Sequence, residues 1–101
     1  ILRTNPEKNI AYPNPFYVNL HHSVNAHYMM PTAGRVTVRV YDFAMQEVAT
    51  LAQDKYHEQG WQDEIWNGRR SDGRPVAIGV YYICIEREGA STIWEKVAVI
   101  Y

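Results

Sequence analysis

The four histidines of this chain are the first residues whose chemistry must be weighed, because imidazole is a common ligand of divalent metals. His22 and His27 differ by an odd number of positions, so on a strand they face opposite sides. His21 and His27 share a side but stand about 20 Å apart at ~3.3 Å per residue, and neither pair can hold one ion. His57 falls in a polar stretch with no assigned element. Asp63, Glu64 and Asp72, together with Asn67, offer the oxygens that calcium takes from a bent loop, yet their spacing follows no calcium-loop pattern. They read as solvated turn residues, with Asn67 and Asp72 bonding to nearby backbone. Ser23, Ser71 and Ser91 lack the strand-to-helix turn of a nucleophile elbow, and Cys84 lies mid-strand with no motif around it. Nothing marks a cleft that would hold two carboxylates across a glycosidic bond. No catalytic residue, metal site or cofactor is expected.

Aromatic side chains are the remaining chemistry. Eight tyrosines and three tryptophans exceed what the core of a small sandwich needs, so some rings must face outward. Tyr82, Trp94 and Ile100 form a candidate patch for docking against a neighbouring domain, since exposed apolar surface commonly marks such contacts. Trp61, Trp94 and Tyr82 are the alternative, a row of rings for stacking on sugar faces. Arg69, Arg70 and Arg74 make a small basic cluster, read as solvated turn charges or as forked donors to an acidic partner.

The elements that would position these residues are strands. Trp66 to Ile85 carries an aromatic strand end into a polar connection and out into a β-branched and aromatic run. Asp72-Gly73 supplies left-handed backbone for a reversal, and Gly79 marks the start of the next strand. Tyr81 stands where the corner tyrosine of an immunoglobulin-like sandwich folds back on the backbone, so that Tyr81, Ile83 and Ile85 face the core. Val24, Ala26, Tyr28 and Met30 share one face of a half-buried strand. Val36, Val38 and Val40 do the same in the clearest strand of the chain, with Thr37 and Arg39 outward. A further strand covers Glu47 to Leu51, with Leu51 placed more clearly than Val48. Ala52 to Gly60 is left as a loop or a helical turn. Trp61 to Trp66 is another strand, with Trp66 in the core.

In the last strand, Thr92 to Tyr101, Val97 and Val99 fit the inner face while Trp94, Ala98 and Ile100 make the other face apolar. Near the start, Pro13 and Pro15 remove two backbone donors and hold the chain extended as an edge strand or lead-in, with Tyr12 and Phe16 plugging the core and Asn14 bonding its own backbone. Residues 1–9 read as a linker or leader, and 10–101 as one domain.

The class that follows is all-β, an immunoglobulin- or fibronectin-III-like sandwich of about seven antiparallel strands. Ten basic and eleven acidic residues give a net charge of −1, which argues against nucleic acid or an anionic membrane as partner. One cysteine permits no internal disulfide. No apolar run approaches the ~18 residues of a membrane span, and the first residues lack a signal-peptide layout, so an export signal would lie upstream in a longer protein.

The ordered set YPNPF (Tyr12 to Phe16), GRVTVRVYD, EVATL, WNGRRSDGRPVAIGVYY and KVAVIY resembles the immunoglobulin-like C-terminal domain of the flagellar hook-capping protein and its relatives, the type IX secretion C-terminal sorting domains. The resemblance runs from Tyr12 onward. It implies a non-enzymatic module at the end of a longer, exported bacterial protein, secreted or held at the cell surface. Its expected partners are other domains of the parent protein, neighbouring subunits, or the export machinery. By that resemblance Lys96, Val97, Val99 and Tyr101 form the candidate sorting end.

Overall fold

The structure is a computed structural model that describes residues 8–101. Residues 1–7 of the expected leader lie outside the described residues. Asn9, its last member, accepts a hydrogen bond from the Met29 amide at 2.9 Å. Among the described residues the strands are β1 (Ile10–Tyr12), β2 (Phe16–Tyr17), β3 (Val24–Met30), β4 (Gly34–Tyr41), β5 (Glu47–His57), β6 (Gly60–Trp66), β7 (Gly79–Arg87) and β8 (Ile93–Ile100). One helical turn, α1 (Val18–His21), follows β2. Three strands in the order β1-β3-β6 form one sheet, and five in the order β2-β8-β7-β4-β5 form the other. This is the expected sandwich, with one departure from antiparallel order: β2 runs parallel to β8, Phe16 beside Val99.

Period-two alternation decides the core. Val24, Ala26, Tyr28 and Met30 face Val36, Val38 and Val40 and then Ile83, Ile85, Val97 and Val99, all of them buried. Burying each such aliphatic side chain contributes about 1.5–3 kcal/mol before the entropy of ordering it is subtracted. The corner is formed as the sequence implies: Tyr81 Oη donates to the Ala77 carbonyl at 2.7 Å. The Trp66 ring packs 5.4 Å from Tyr81 and 6.3 Å from Phe16. Its Nε1 donates to the Arg69 carbonyl, which draws the 66–69 backbone onto the core. Gly73, at φ +93°, closes the reversal between Arg70 and Arg74.

Three expectations about the first two strands change. The chain bends at residues 13–15 instead of staying extended as it passes from one sheet to the other, and the Tyr12-Pro13 and Asn14-Pro15 peptides are both cis. Phe16 enters the core, but Tyr12 is half-buried and Ala11 takes the inner position. Asn14 does not bond its own backbone. Its amide nitrogen donates to the Lys96 carbonyl at 2.8 Å and its oxygen accepts from the Ala98 amide at 3.1 Å, so one side chain pairs with the edge of β8 as a strand would.

The stretch after Leu51 is neither loop nor helix. β5 continues to His57 through irregularities opposite Val36 to Val38, where Asp54 takes φ +49° and its amide donates to Thr37 Oγ1. A further register shift near Val40 lets Val48 and Ala49 both bury while Leu51 stays half-buried, which reverses the expected order of the two.

Strand directions sort the loops into two ends. Tyr41 lies beside Tyr82, Gly79 beside Val99 and Val24 beside Trp66, so the β4–β5 turn, the 67–78 connection, α1 and Tyr101 gather at one end. The start of β1 and the β3–β4, β5–β6 and β7–β8 turns lie at the other.

Candidate interaction surface

Tyr82, Trp94 and Ile100, the residues of the candidate patch, all stand on the outer face of the five-stranded sheet. Tyr82 sits on β7 directly across from Lys96 on one side and Tyr41 on the other. Trp94 sits across from Cys84, and its ring reaches over β7 to lie 5.9 Å from the Tyr41 ring. Trp94 is 51% exposed, which is high for the largest apolar side chain. Ile100 shares this face, but six residues separate it from Trp94, about 20 Å along the strand, and it lies beside Tyr17. The patch is therefore Trp94, Tyr41 and Tyr82, with Ile100 apart from it. Tyr41 went unnoticed because it ends its strand, although it shares the parity of Thr37 and Arg39. A charged rim borders the rings, with Arg39 3.2 Å from Glu86 and 3.7 Å from Glu47.

Cys84 is buried although it faces outward, in the row between Trp94 and Arg39. Burial, and then the nearby Glu86 carboxylate, raise its thiol pKa above the ordinary cysteine value. A thiol in this state is a poor nucleophile.

The residues of the expected sorting end do not act alike. Lys96 points outward and is exposed, whereas Val97 and Val99 are core residues and cannot be offered to a partner without unfolding β8. Tyr101 is half-exposed, and its hydroxyl is tied to the Val76 carbonyl. The row of rings for a sugar face is not formed. Trp61 stands on the outer face of the other sheet, on the opposite side of the sandwich from Trp94 and Tyr82.

Trp61 instead stacks on His27, ring centroids 4.7 Å apart and nearly parallel. Together with Tyr12, which meets the imidazole edge-on, it helps to bury a histidine whose parity puts it on the outer face. His27 Nδ1 lies 2.7 Å from Asp63 Oδ1, and Asn25 Nδ2 donates to the same oxygen.

Glu64, next along the strand, points the other way and is buried. Tyr28 Oη donates to its Oε2 at 2.9 Å, His57 Nε2 lies 2.8 Å from the same oxygen, and Lys55 Nζ is 3.7 Å from Oε1. Asp63 and Glu64 are thus strand residues with separate partners, not turn residues. Asn67 and Asp72 do bond locally as expected, accepting from the amides of Arg69 and Arg74. The Glu64 group joins the far half of β5 to β3 and β6 of the opposite sheet, and its signal in the sequence was parity, since Glu64 alternates in step with Trp66. Among the described residues no three His, Cys, Asp or Glu side chains gather in a metal-holding group.

No protein-family model and no curated protein matches this sequence. Solved structures do, PorZ and PorU among them. PorZ, described as an essential bacterial surface component of the type IX secretion system of Porphyromonas gingivalis, is similar over 92% of this chain with a TM-score of 0.65 and 22% identity. Latent dimeric PorU of the same organism is similar over 91% of it, with a TM-score of 0.64 and 20% identity. The likeness is one of fold. This chain spans 11% of the length of the first and 9% of the second, so it corresponds to a small part of each.

Proposed function

We propose that this sandwich is a non-catalytic module of a secreted or cell-surface bacterial protein, working by protein contact within type IX secretion, as a sorting, anchoring or assembly domain. The observation that carries the reading is the outer face of the five-stranded sheet, where Trp94, Tyr41 and Tyr82 lie side by side with Lys96 next to them. An exposed tryptophan packed on a tyrosine, with a charged rim, has the makeup of an interface centre. The fold likeness to parts of PorZ and PorU supports the secretion context. The partners are other domains of the parent protein, a neighbouring subunit, or a component of the export apparatus. The near-neutral charge favours such partners over nucleic acid.

The test fuses the chain to an exported reporter in a host with type IX secretion. Removing the last strand would extract Val97 and Val99 from the core, so point changes are needed. Trp94→Ser and Lys96→Glu alter the outer face while leaving the core intact, and Ile65→Ser, on the outer face of the other sheet, serves as control. Lower surface delivery for the first two, with unchanged melting temperature, supports the reading. Delivery equal to the parent in all three sinks it.

A further inference from the structure

A second surface feature lies at the end of the sandwich where α1, the 67–78 connection and Tyr101 meet, away from the sheet face just described. A cleft of about 390 Å³ opens there, walled by Asn19, His22, Asn67, Arg69 and Tyr101 and closed below by Gly68. Gly68 is required by position: at φ +77°, a Cβ would stand 3.1 Å from the Phe16 ring, so only glycine brings this backbone close to β2. Arg69, though exposed, is the best-anchored residue of the connection. Its amide donates to Asn67 Oδ1, its carbonyl accepts from Trp66 Nε1, and its Nη1 donates to the Gly73 carbonyl at 2.8 Å.

No carboxylate among the described residues pairs with the Arg69 guanidinium, and no acidic side chain lines the cleft. Asp72, the nearest acid in sequence, is engaged by Arg74 at 2.8 Å. The side chains of His22 and Asn19 and the amide nitrogen of Asn67 have no protein partner among the described residues. The lining thus carries donor groups and supplies no anion, and the Arg69 fork is held by its bond to the Gly73 carbonyl, which lowers the ordering cost of binding. The aliphatic part of the lining is Val18 and Pro75, and Leu20, next to Asn19 in sequence, is 71% exposed.

The geometry points to a carboxylate-binding cleft that takes an acidic side chain from an extended segment of a protein partner, with Arg69 as the forked donor and His22 and Asn67 beside it. These aliphatic groups suit the apolar neighbours of that acid better than they suit sugar hydroxyls. The inference stands apart from the export reading, since each can fail without the other.

Titration of the isotope-labelled 101-residue chain, followed by amide NMR, tests it. The probe is a blocked pentapeptide with a central glutamate between leucine and isoleucine, compared with its glutamine counterpart. Saturable shifts at His22, Gly68 and Arg69 are expected, with the glutamine peptide and the Arg69→Gln variant each weaker by about tenfold or more. Arg69→Lys, which keeps charge but loses the fork, should fall between. His22 sits at φ +69°, which asparagine tolerates, so His22→Asn gives a folded second variant with a severalfold loss. Raising the salt from about 0.05 to about 0.5 M should weaken binding. Equal binding of the two peptides, or no shift with either, overturns the site. Galacturonate or inorganic phosphate binding the same amides as tightly as the glutamate peptide overturns the assignment to a protein partner.

Discussion

Replacing Tyr28 with phenylalanine removes one hydroxyl from the interior and leaves the ring in place. That hydroxyl donates to Glu64 Oε2 at 2.9 Å, and both residues are buried. A hydrogen bond to a charged group contributes about 1.5–3 kcal/mol. Glu64 keeps His57 at 2.8 Å, so the loss falls in the lower half of that range, ~2 kcal/mol. For a domain of this size that lowers the melting temperature by about 10 °C. The same bond has a pH signature. Burial first, then the Glu64 charge and its hydrogen bond, and last the Asp63 charge, raise the Tyr28 phenol pKa well above the ordinary tyrosine value. The folded chain therefore keeps a proton that the unfolded chain releases near pH ~10. The stabilisation is fully present below that pH and is lost as pH rises above it, by up to about 1.4 kcal/mol per pH unit. Tyr81 is raised too, mainly by burial, and contributes a fall that Tyr28→Phe retains. Urea unfolding followed by tryptophan fluorescence from about pH 7 to about pH 11 separates the two. The variant should be weaker at neutral pH yet lose stability less steeply in alkali. Parallel alkaline slopes, or a neutral-pH difference under ~0.5 kcal/mol, would refute the role given to this bond.

Asn14→Ala should cost about 1–2 kcal/mol and speed hydrogen exchange at the Ala98 amide, because both bonds to β8 are lost; unchanged exchange there would show that β8 holds its edge without help. Gly68→Ala and Gly73→Ala both place a side chain at positive φ, about 1–2 kcal/mol each, but only the first meets a ring at 3.1 Å. Gly68→Ala should therefore be clearly the less stable in thermal unfolding, and equal losses would count against the close approach to Phe16. Cys84, buried with a raised thiol pKa, should react slowly with a disulfide reagent at neutral pH, and Trp94→Ala should speed the reaction several-fold. Equal rates would mean that Trp94 does not cover it.

Much of the fold was legible because its signals are local. Val36, Val38 and Val40 alternate with outward residues, and alternation alone assigns their faces. Tyr81 sits four residues after the carbonyl it bonds, a distance at which neighbours in sequence fix each other. The candidate interaction surface was legible in part. Parity places Trp94, Tyr82 and Ile100 on one face, but parity carries no length along the strand, so it grouped Ile100 with residues about 20 Å away and missed Tyr41, which register brings across β7.

Composition and spacing by themselves determined that this is a sandwich of short strands, which residues of β3, β4, β7 and β8 point inward, and where the 70–74 reversal falls. Each of these follows from a residue's own backbone preference or its parity along one strand. Tertiary structure alone decided that Glu64 is a buried acceptor for Tyr28 and His57, that Asn14 completes the edge of β8, and that Arg69 shares the lining of a cleft with α1 and Tyr101. In each case the partners stand on different elements, and only the register of the sheets and the irregular backbone of β5 bring them within bonding distance.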